Sequence, residues 1–203
     1  MLYYKGEKIE VDPKAVTNDF HGEGSKIRDE IRARILPPIP QLKILDIGTG
    51  YGHTVSFLRS ILPDDCTIWT LDPSDEVVER VEKMMREAGQ ASNVKFVKAS
   101  AEEIPFENNF FDVVVSVVLL HHLERLEHAL MEMLRVVKGK GKGKVILVDY
   151  RPEAHVLNFA SHHKREDFFE PERVASDLEK GGVALPYVKK FQYWYVIEAS
   201  KPS

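Results

Sequence analysis

The chain has 203 residues, 43% of them hydrophobic and 30% charged, with a formal net charge of −4. That is enough for one domain with a substantial core, and too apolar for wholesale disorder. The longest uncharged apolar run, residues 113–120, is far shorter than a membrane helix, no apolar leader precedes Lys5, Glu7 and Lys8, and the lone Cys66 excludes an internal disulfide framework or a cysteine zinc site, so a soluble, cytoplasmic chain is expected.

Residues 1–40 carry seven basic and seven acidic side chains and predict a helical extension, a candidate lid, with Phe20 and His21 as its possible cover. Its helix has Ser25 as a candidate cap and Ile27, Ile31 and Ile35 on one face. Pro37, Pro38 and Pro40 end it and mark a boundary.

From residue 41 to 203 the texture is that of one domain. Apolar strands are predicted over residues 43–47, 67–71, 94–97, 112–118 and 145–149, with helices over 53–62, 74–88 and 124–137 between them. Strand 112–118 is apolar enough to be buried on both faces of a parallel sheet. A helix over 171–180 is closed by Gly181-Gly182, and two β-rich runs, 185–191 and 193–199, follow with no helix between them. Two strands without a crossover must be antiparallel. The expected fold is therefore α/β: a doubly wound, mostly parallel seven-stranded sheet with one antiparallel strand from the C-terminal hairpin and helices on both faces.

The chemistry-bearing segment is Lys43-Ile44-Leu45-Asp46-Ile47-Gly48-Thr49-Gly50-Tyr51-Gly52, a strand ending in a Gly-x-Gly-x-Gly turn that opens a helix. Glycine there permits close approach of a ligand and positive φ, and a helix start offers free N–H donors. A tight turn needs glycine with or without a ligand, so the motif alone leaves both readings open. Asp72 ends the second strand, where a carboxylate would meet a ribose diol; it can equally cap the helix beyond Pro73. A dinucleotide fingerprint wants a glycine where His53 stands, which disfavours a pyrophosphate loop.

Leu45 to Gly52, Leu71-Asp72-Pro73-Ser74, residues 98–106, Phe111 to Ser116 with Leu120-His121-His122-Leu123, and residues 134–149 follow one another at the spacing of five motifs. In them the chain resembles the class I S-adenosylmethionine-dependent methyltransferases, in particular the branch with small-molecule and quinone methyltransferases. The resemblance covers residues 40–200. It implies S-adenosylmethionine as cofactor, with the methionine end held by Asp46, Gly48, Thr49, Gly50 and Gly52, and the ribose by Asp72. Pro73 and Ala101 would lie near the adenine, Ser100 and Glu102 at its edge, and Ser116 beneath the methionine moiety. The family usually has aspartate where this chain has Ser100.

Around this cofactor frame, His121 and His122 are candidate catalytic residues that orient the acceptor or take its proton; a stacking or capping role fits the same position. Tyr150 with Arg151 follows strand 145–149 at the carboxyl edge and is the third catalytic candidate. His155, His162 and His163 have no compact ligand spacing and read as solvated surface histidines, so no metal site is expected. Phe159, Phe168 and Phe169 line a pocket or pack the last helix. The alternating Lys/Gly run 138–144 falls at the amino edge and reads as a solvated turn.

Residues 41–150 hold 13 basic against 17 acidic side chains and residues 151–203 eight of each, so no electrostatic footprint for nucleic acid appears. The Asn/Asp-Pro-Pro-Tyr/Phe signature of amide and exocyclic-amine methylation is replaced by Ser116-Val117-Val118-Leu119. The expected acceptor is a small molecule, reached through residues 1–40 and a substrate-side insertion at 150–170. A protein or RNA methyltransferase, or a non-catalytic cofactor-binding subunit, are the alternatives. Nothing in the sequence sets an oligomeric state.

Overall fold

A computed structural model describes residues 2–4, 7–9, 22–156 and 163–202. Strands β1 (Leu2–Tyr4) and β2 (Glu7–Ile9) form a small antiparallel hairpin of their own. The main sheet has seven strands: β3 (Lys43–Ile47), β4 (Thr67–Asp72), β5 (Val94–Lys98), β6 (Val113–Val117), β7 (Lys144–Tyr150), β8 (Tyr187–Lys190) and β9 (Trp194–Ala199), in the order β5-β4-β3-β6-β7-β9-β8. Pairing is parallel from β5 through β7, and β9 runs antiparallel to both β7 and β8, as the C-terminal hairpin required. The winding direction reverses between β3 and β6, a topological switch point of the kind at which open α/β sheets bind ligands.

Side chains alternate across the strands and build two cores. On one face Ile44, Val113, Val115, Ile146, Val148 and Val196 meet helices α1 (Gly24–Ile35), α2 (His53–Ile61) and α3 (Asp75–Glu87). On the other Leu45, Val114, Val145, Leu147 and Ile197 meet α4 (Leu126–Val136) and α5 (Pro171–Lys180). Burial of each such aliphatic side chain stabilises by roughly 1.5–3 kcal/mol. Among the described residues no helix is long and apolar enough to cross a membrane.

Three local expectations are corrected. Ser25 does not cap α1, which begins at Gly24 with Glu23 at the cap position; the Glu23 carboxylate accepts from Lys26 Nζ at 2.9 Å and Trp194 Nε1 at 3.3 Å instead. The fourth predicted strand stops at Val117, because Val118 takes a left-handed φ of 55°. The run at 185–191 shortens to β8, leaving Leu185 exposed ahead of Pro186. Ser74, by contrast, starts α3 by accepting from Val77 N, with Asp75 and Glu76 in the first turn against the positive end of the helix dipole.

Candidate functional site

The turn from β3 into α2 is a run of left-handed glycines, with φ of 89° at Gly48, 49° at Gly50 and 83° at Gly52. Gly48 N and Thr49 N both donate to Leu71 O of β4, at 2.9 and 3.0 Å, which pins the loop to the neighbouring strand. The three glycines are needed for different reasons. A Cβ at Gly52 would lie 2.7 Å from Val81 Cγ1 and 3.0 Å from Met84 Cε, so α3 itself forbids a side chain there. A Cβ at Gly48 would press on Leu119 at 3.3 Å. At Gly50 the nearest atom is 3.9 Å away, so no packing demand accounts for the missing side chain, and the loop is open there.

Carboxylates gather at the same edge. Asp46 is 1% exposed; its Oδ2 accepts from Thr70 Oγ1 at 2.8 Å, and Thr70 Oγ1 shares a hydrogen bond with Thr49 Oγ1 at 2.8 Å, while Asp46 Oδ1 is buried with no hydrogen-bond partner. Burial pushes the Asp46 carboxyl up to about 7, against the lowering effect of the Thr70 bond and with added repulsion from Asp72. Asp72, at the end of β4, accepts from Gly50 N at 3.2 Å and Ser74 N at 3.0 Å. Burial raises it too, opposed by those two N–H bonds and by Arg80. Arg80 donates to Gly50 O at 2.8 Å and lies over the Tyr51 ring. Ser116 Oγ, from β6, is fully buried and without a hydrogen bond.

The amino edge contrasts with this. There Asp112 accepts from Lys138 Nζ at 2.6 Å and Lys43 N at 3.0 Å, while Lys144 pairs with Glu198 at 3.0 Å. Lys140 and Lys142 are exposed, so the Lys/Gly run is a turn whose end lysines are tied to carboxylates. Among the described residues neither Asp46 nor Asp72 has a cationic side chain at ion-pair distance.

Beyond β5, Ala101 is buried, Ser100 Oγ accepts from Glu102 N at 3.1 Å, and Pro73 is exposed across β4. The Glu102 carboxylate is taken by Arg125, accepting from its backbone N at 3.0 Å and from Nε at 2.7 Å. This ties the segment to the start of α4.

A second cluster lies beyond β6. Val118, a β-branched residue in left-handed backbone, reverses the chain so that Leu119 covers Gly48 and the short turn Leu120–His122 follows. Such a conformation costs roughly 1–3 kcal/mol and persists only where its surroundings hold it. Val118 N donates to Val148 O at 2.7 Å. His121 is 3% exposed, and its Nδ1 lies 2.7 Å from Asp149 Oδ1. Asp149 also accepts from the backbone N–H of His121 at 3.2 Å and of Tyr150 at 2.6 Å. The His122 ring lies 4.1 Å from that of His121, and burial, with repulsion from His121 and His163, holds its pKa well below the usual histidine range.

His163 departs from its expected place on the solvated surface: it is half-buried, with its ring 4.9 Å from that of His121 and 5.1 Å from that of His122. Phe168 is buried beside it, and Phe169 packs against the second core. Tyr150 is 4% exposed inside the first core, where burial, and then the nearby Asp149, push its hydroxyl far above the usual tyrosine value. It is a poor base for any acceptor at neutral pH. Phe20, His21, Phe159, His162 and the side chain of His155 lie outside the described residues.

The structure thus brings Asp46, Gly48, Thr49, Gly50 and Asp72 to one loop and His121 and His122 to the next. Thr70, Arg80, Asp149 and His163 escaped the sequence reading. Asp149 alone carried a signal, an acid at the carboxyl end of an otherwise apolar strand.

Residues 45–147 match the model of a methyltransferase-domain family. Over 125 residues the chain is 35% identical to YcgJ, an uncharacterized methyltransferase of Bacillus subtilis, covering 61% of this chain and 47% of that one. Over 118 residues it is 30% identical to UbiE of Shewanella sediminis, a ubiquinone/menaquinone biosynthesis C-methyltransferase, covering 58% and 47%. The chain therefore spans about half the length of these curated relatives. In fold it resembles a SAM-dependent methyltransferase from Aquifex aeolicus, with a TM-score of 0.76 at 19% identity over 94% of this chain and 98% of that one.

Proposed function

The chain belongs to the methyltransferase-domain family, and from that premise we propose that it is a cytoplasmic enzyme that uses S-adenosylmethionine to methylate a small-molecule acceptor. The observation that carries the reading is the pair of carboxyl groups, Asp46 and Asp72, that flank an open left-handed glycine loop and, among the described residues, have no cationic side chain at ion-pair distance. A ligand with an ammonium, a sulfonium and a ribose diol suits that arrangement. The buried, unbonded Asp46 Oδ1 and Ser116 Oγ fit it as well, since each has hydrogen-bonding capacity the protein does not use.

When bound, S-adenosylmethionine supplies a methyl group already activated by its positive sulfur, so alignment and exclusion of water matter more than acid–base help. Asp46, with Gly48, Thr49 and Gly50, would receive the amino-acid end, and Asp72 would hold the ribose hydroxyls. Ala101 and Pro73 would lie near the adenine, with Ser100 at its edge. Glu102, held by Arg125, braces that segment, and Gly52 serves the packing of α2 on α3. Ser116 supports the methionine moiety from β6. His121, oriented by Asp149, and His122 would face the acceptor side.

A small-molecule acceptor is supported by the neutral flanks and by a relative named for quinone biosynthesis. The test is calorimetry with S-adenosylmethionine. Asp72→Ala should weaken binding by about 10–100-fold, the loss of charge-assisted hydrogen bonds. Unchanged affinity would remove the ribose assignment, and a chain that responds to NAD but not to S-adenosylmethionine in thermal shift would overturn the whole reading. Incubation with labelled methyl donor should place label in a small-molecule fraction of the source cells. Label in protein or RNA alone would defeat the acceptor class.

A further inference from the structure

Among the described residues, one cluster of histidine, cysteine or carboxylate side chains converges closely enough to share an ion: His121, His122 and His163 each offer one ligand atom, and the three atoms lie within 4.8 Å of one another. His121 and His122 come from the turn after β6, and His163 from the segment between β7 and α5, so the cluster joins two loops at the carboxyl edge. The geometry points to a binding site for one divalent transition-metal ion of the zinc type, held by these three imidazoles.

The best-defined ligand is His121. Asp149 already accepts from two backbone N–H groups, which marks its oxygens as acceptors, and a carboxylate acceptor at 2.7 Å from Nδ1 makes that nitrogen the proton donor. The lone pair of His121 is then on Nε2. A carboxylate fixing one ring nitrogen so that the other can bind a cation is the usual outer support of a metal-ligating histidine. The walls suit such a site too. Phe168, itself buried, lies 5.1 Å from the His121 ring and 5.6 Å from that of His163, an apolar neighbour to both. Imidazole donors favour zinc, copper, nickel or cobalt over magnesium and calcium, which take oxygen ligands.

Bonds of about 2.0–2.1 Å to a tetrahedral ion put the nitrogens about 3.4 Å apart, so binding would draw the rings together by about an ångström. Three protein ligands leave the fourth position to water or to the acceptor. The ion site stands on the histidines alone; its use for an acceptor oxygen or thiolate rests on the methyltransferase reading.

The test uses the full chain without a histidine tag, stripped with chelator and titrated with Co²⁺ and then Zn²⁺. One equivalent of Co²⁺ should give the visible bands of a tetrahedral site, and Zn²⁺ should displace it. His163→Ala should lower the affinity at least about 10-fold, and Asp149→Asn by about 10–100-fold. Should either variant fail to fold, ring ¹⁵N resonances of the wild type decide: three of its eight histidines should shift with one equivalent of Zn²⁺. Absence of Co²⁺ bands, affinity unchanged in a folded His163→Ala, or shifts at other histidines would overturn the site. S-adenosylmethionine binding is measured separately on the stripped protein, so loss of the methyltransferase reading and loss of the metal site register in different experiments.

Discussion

Asp46 should make the ligand-free protein less stable than it need be, and in a pH-dependent way. Its carboxyl is completely buried with one hydrogen bond, and it holds its proton up to about pH 7, where an unfolded aspartate loses it at 3.8. Across that interval the folded chain binds more protons than the unfolded one. The stability this group contributes is therefore fully present below pH 3.8 and declines as pH rises, levelling off above about 7. At about 1.4 kcal/mol per pH unit over some three units, the loss is at most about 4 kcal/mol. Asp46→Asn removes the titration and keeps the size. Carboxylates such as Glu30 and Glu132, whose ion pairs hold them low, shift stability the other way in both proteins and cancel in the difference.

Urea unfolding at pH 4.5 to 8.5 gives that difference directly. The advantage of Asp46→Asn should grow with pH up to about 7 and then flatten, reaching about 1–4 kcal/mol, or a melting-temperature gain of a few degrees for each kcal/mol in a chain of this size. The same variant should bind S-adenosylmethionine more weakly, since an amide cannot give up a proton to become the anion that a cationic ligand would meet. A difference that does not change with pH, or a variant less stable than wild type at pH 8, would refute the claim that Asp46 is a buried, poorly compensated carboxyl.

Other consequences are more local. Gly52→Ala should cost about 1–3 kcal/mol, because its Cβ would run into Val81 and Met84; a wild-type urea midpoint would contradict that packing. Gly50→Ala, facing open space, should lose only about 1 kcal/mol for its left-handed φ while weakening S-adenosylmethionine binding in calorimetry. Equal effects of both variants on binding would erase the distinction drawn between the two glycines. Ile31→Ala should destabilise by about 2–5 kcal/mol in the same unfolding assay, since Ile31 is 2% exposed within the first core. A loss below 1 kcal/mol would mean that α1 is not part of that core.

What could be read in advance was whatever the chain writes locally. Strands buried on both faces read as unbroken apolar runs, the glycine turn sits at a strand–helix junction, and a hairpin without a crossover can only be antiparallel. Asp72 was legible because its distance from Gly50 is set by one β-α-β unit. Strands β1 and β2 were not, since three residues such as Leu2–Tyr4 carry no measurable period. Ser25 misled because a serine ahead of an apolar stripe reads as a cap even when the helix starts one residue earlier; the Glu23 carboxylate, at the cap position, meets Lys26 one turn on and Trp194 across the fold. The histidine cluster was hidden for a topological reason. His121 and Asp149 are 28 residues apart and meet because the register Val117↔Val148 sets the ends of β6 and β7 side by side. Sequence spacing among His155, His162 and His163 was the wrong variable for His163, whose ring meets those of His121 and His122 from a different segment.

The distribution of charge follows from the same topology. Each carboxyl end of β3, β4 and β7 carries an aspartate, whereas the acid at the amino end of β6, Asp112, is already neutralised by Lys138. Among the described residues Asp46, Asp72 and Asp149, unlike Asp112, have no lysine or arginine at ion-pair distance. The winding reverses between β3 and β6, the place where open α/β sheets bind ligands, with Asp46 and Asp72 on the β3–β4 side of it and Ser116 and the His121–His163 cluster on the β6–β7 side. A cationic ligand lying on the β3–β4 side would neutralise the first two aspartates, and Asp149, turned to His121, serves the other. On our reading the two sides hold the two partners of one transfer, donor on the glycine loop and acceptor at the histidines. Loss of charge at Asp46 should then be felt in the affinity for the donor, and loss of His163 in that for the acceptor, with little exchange between them.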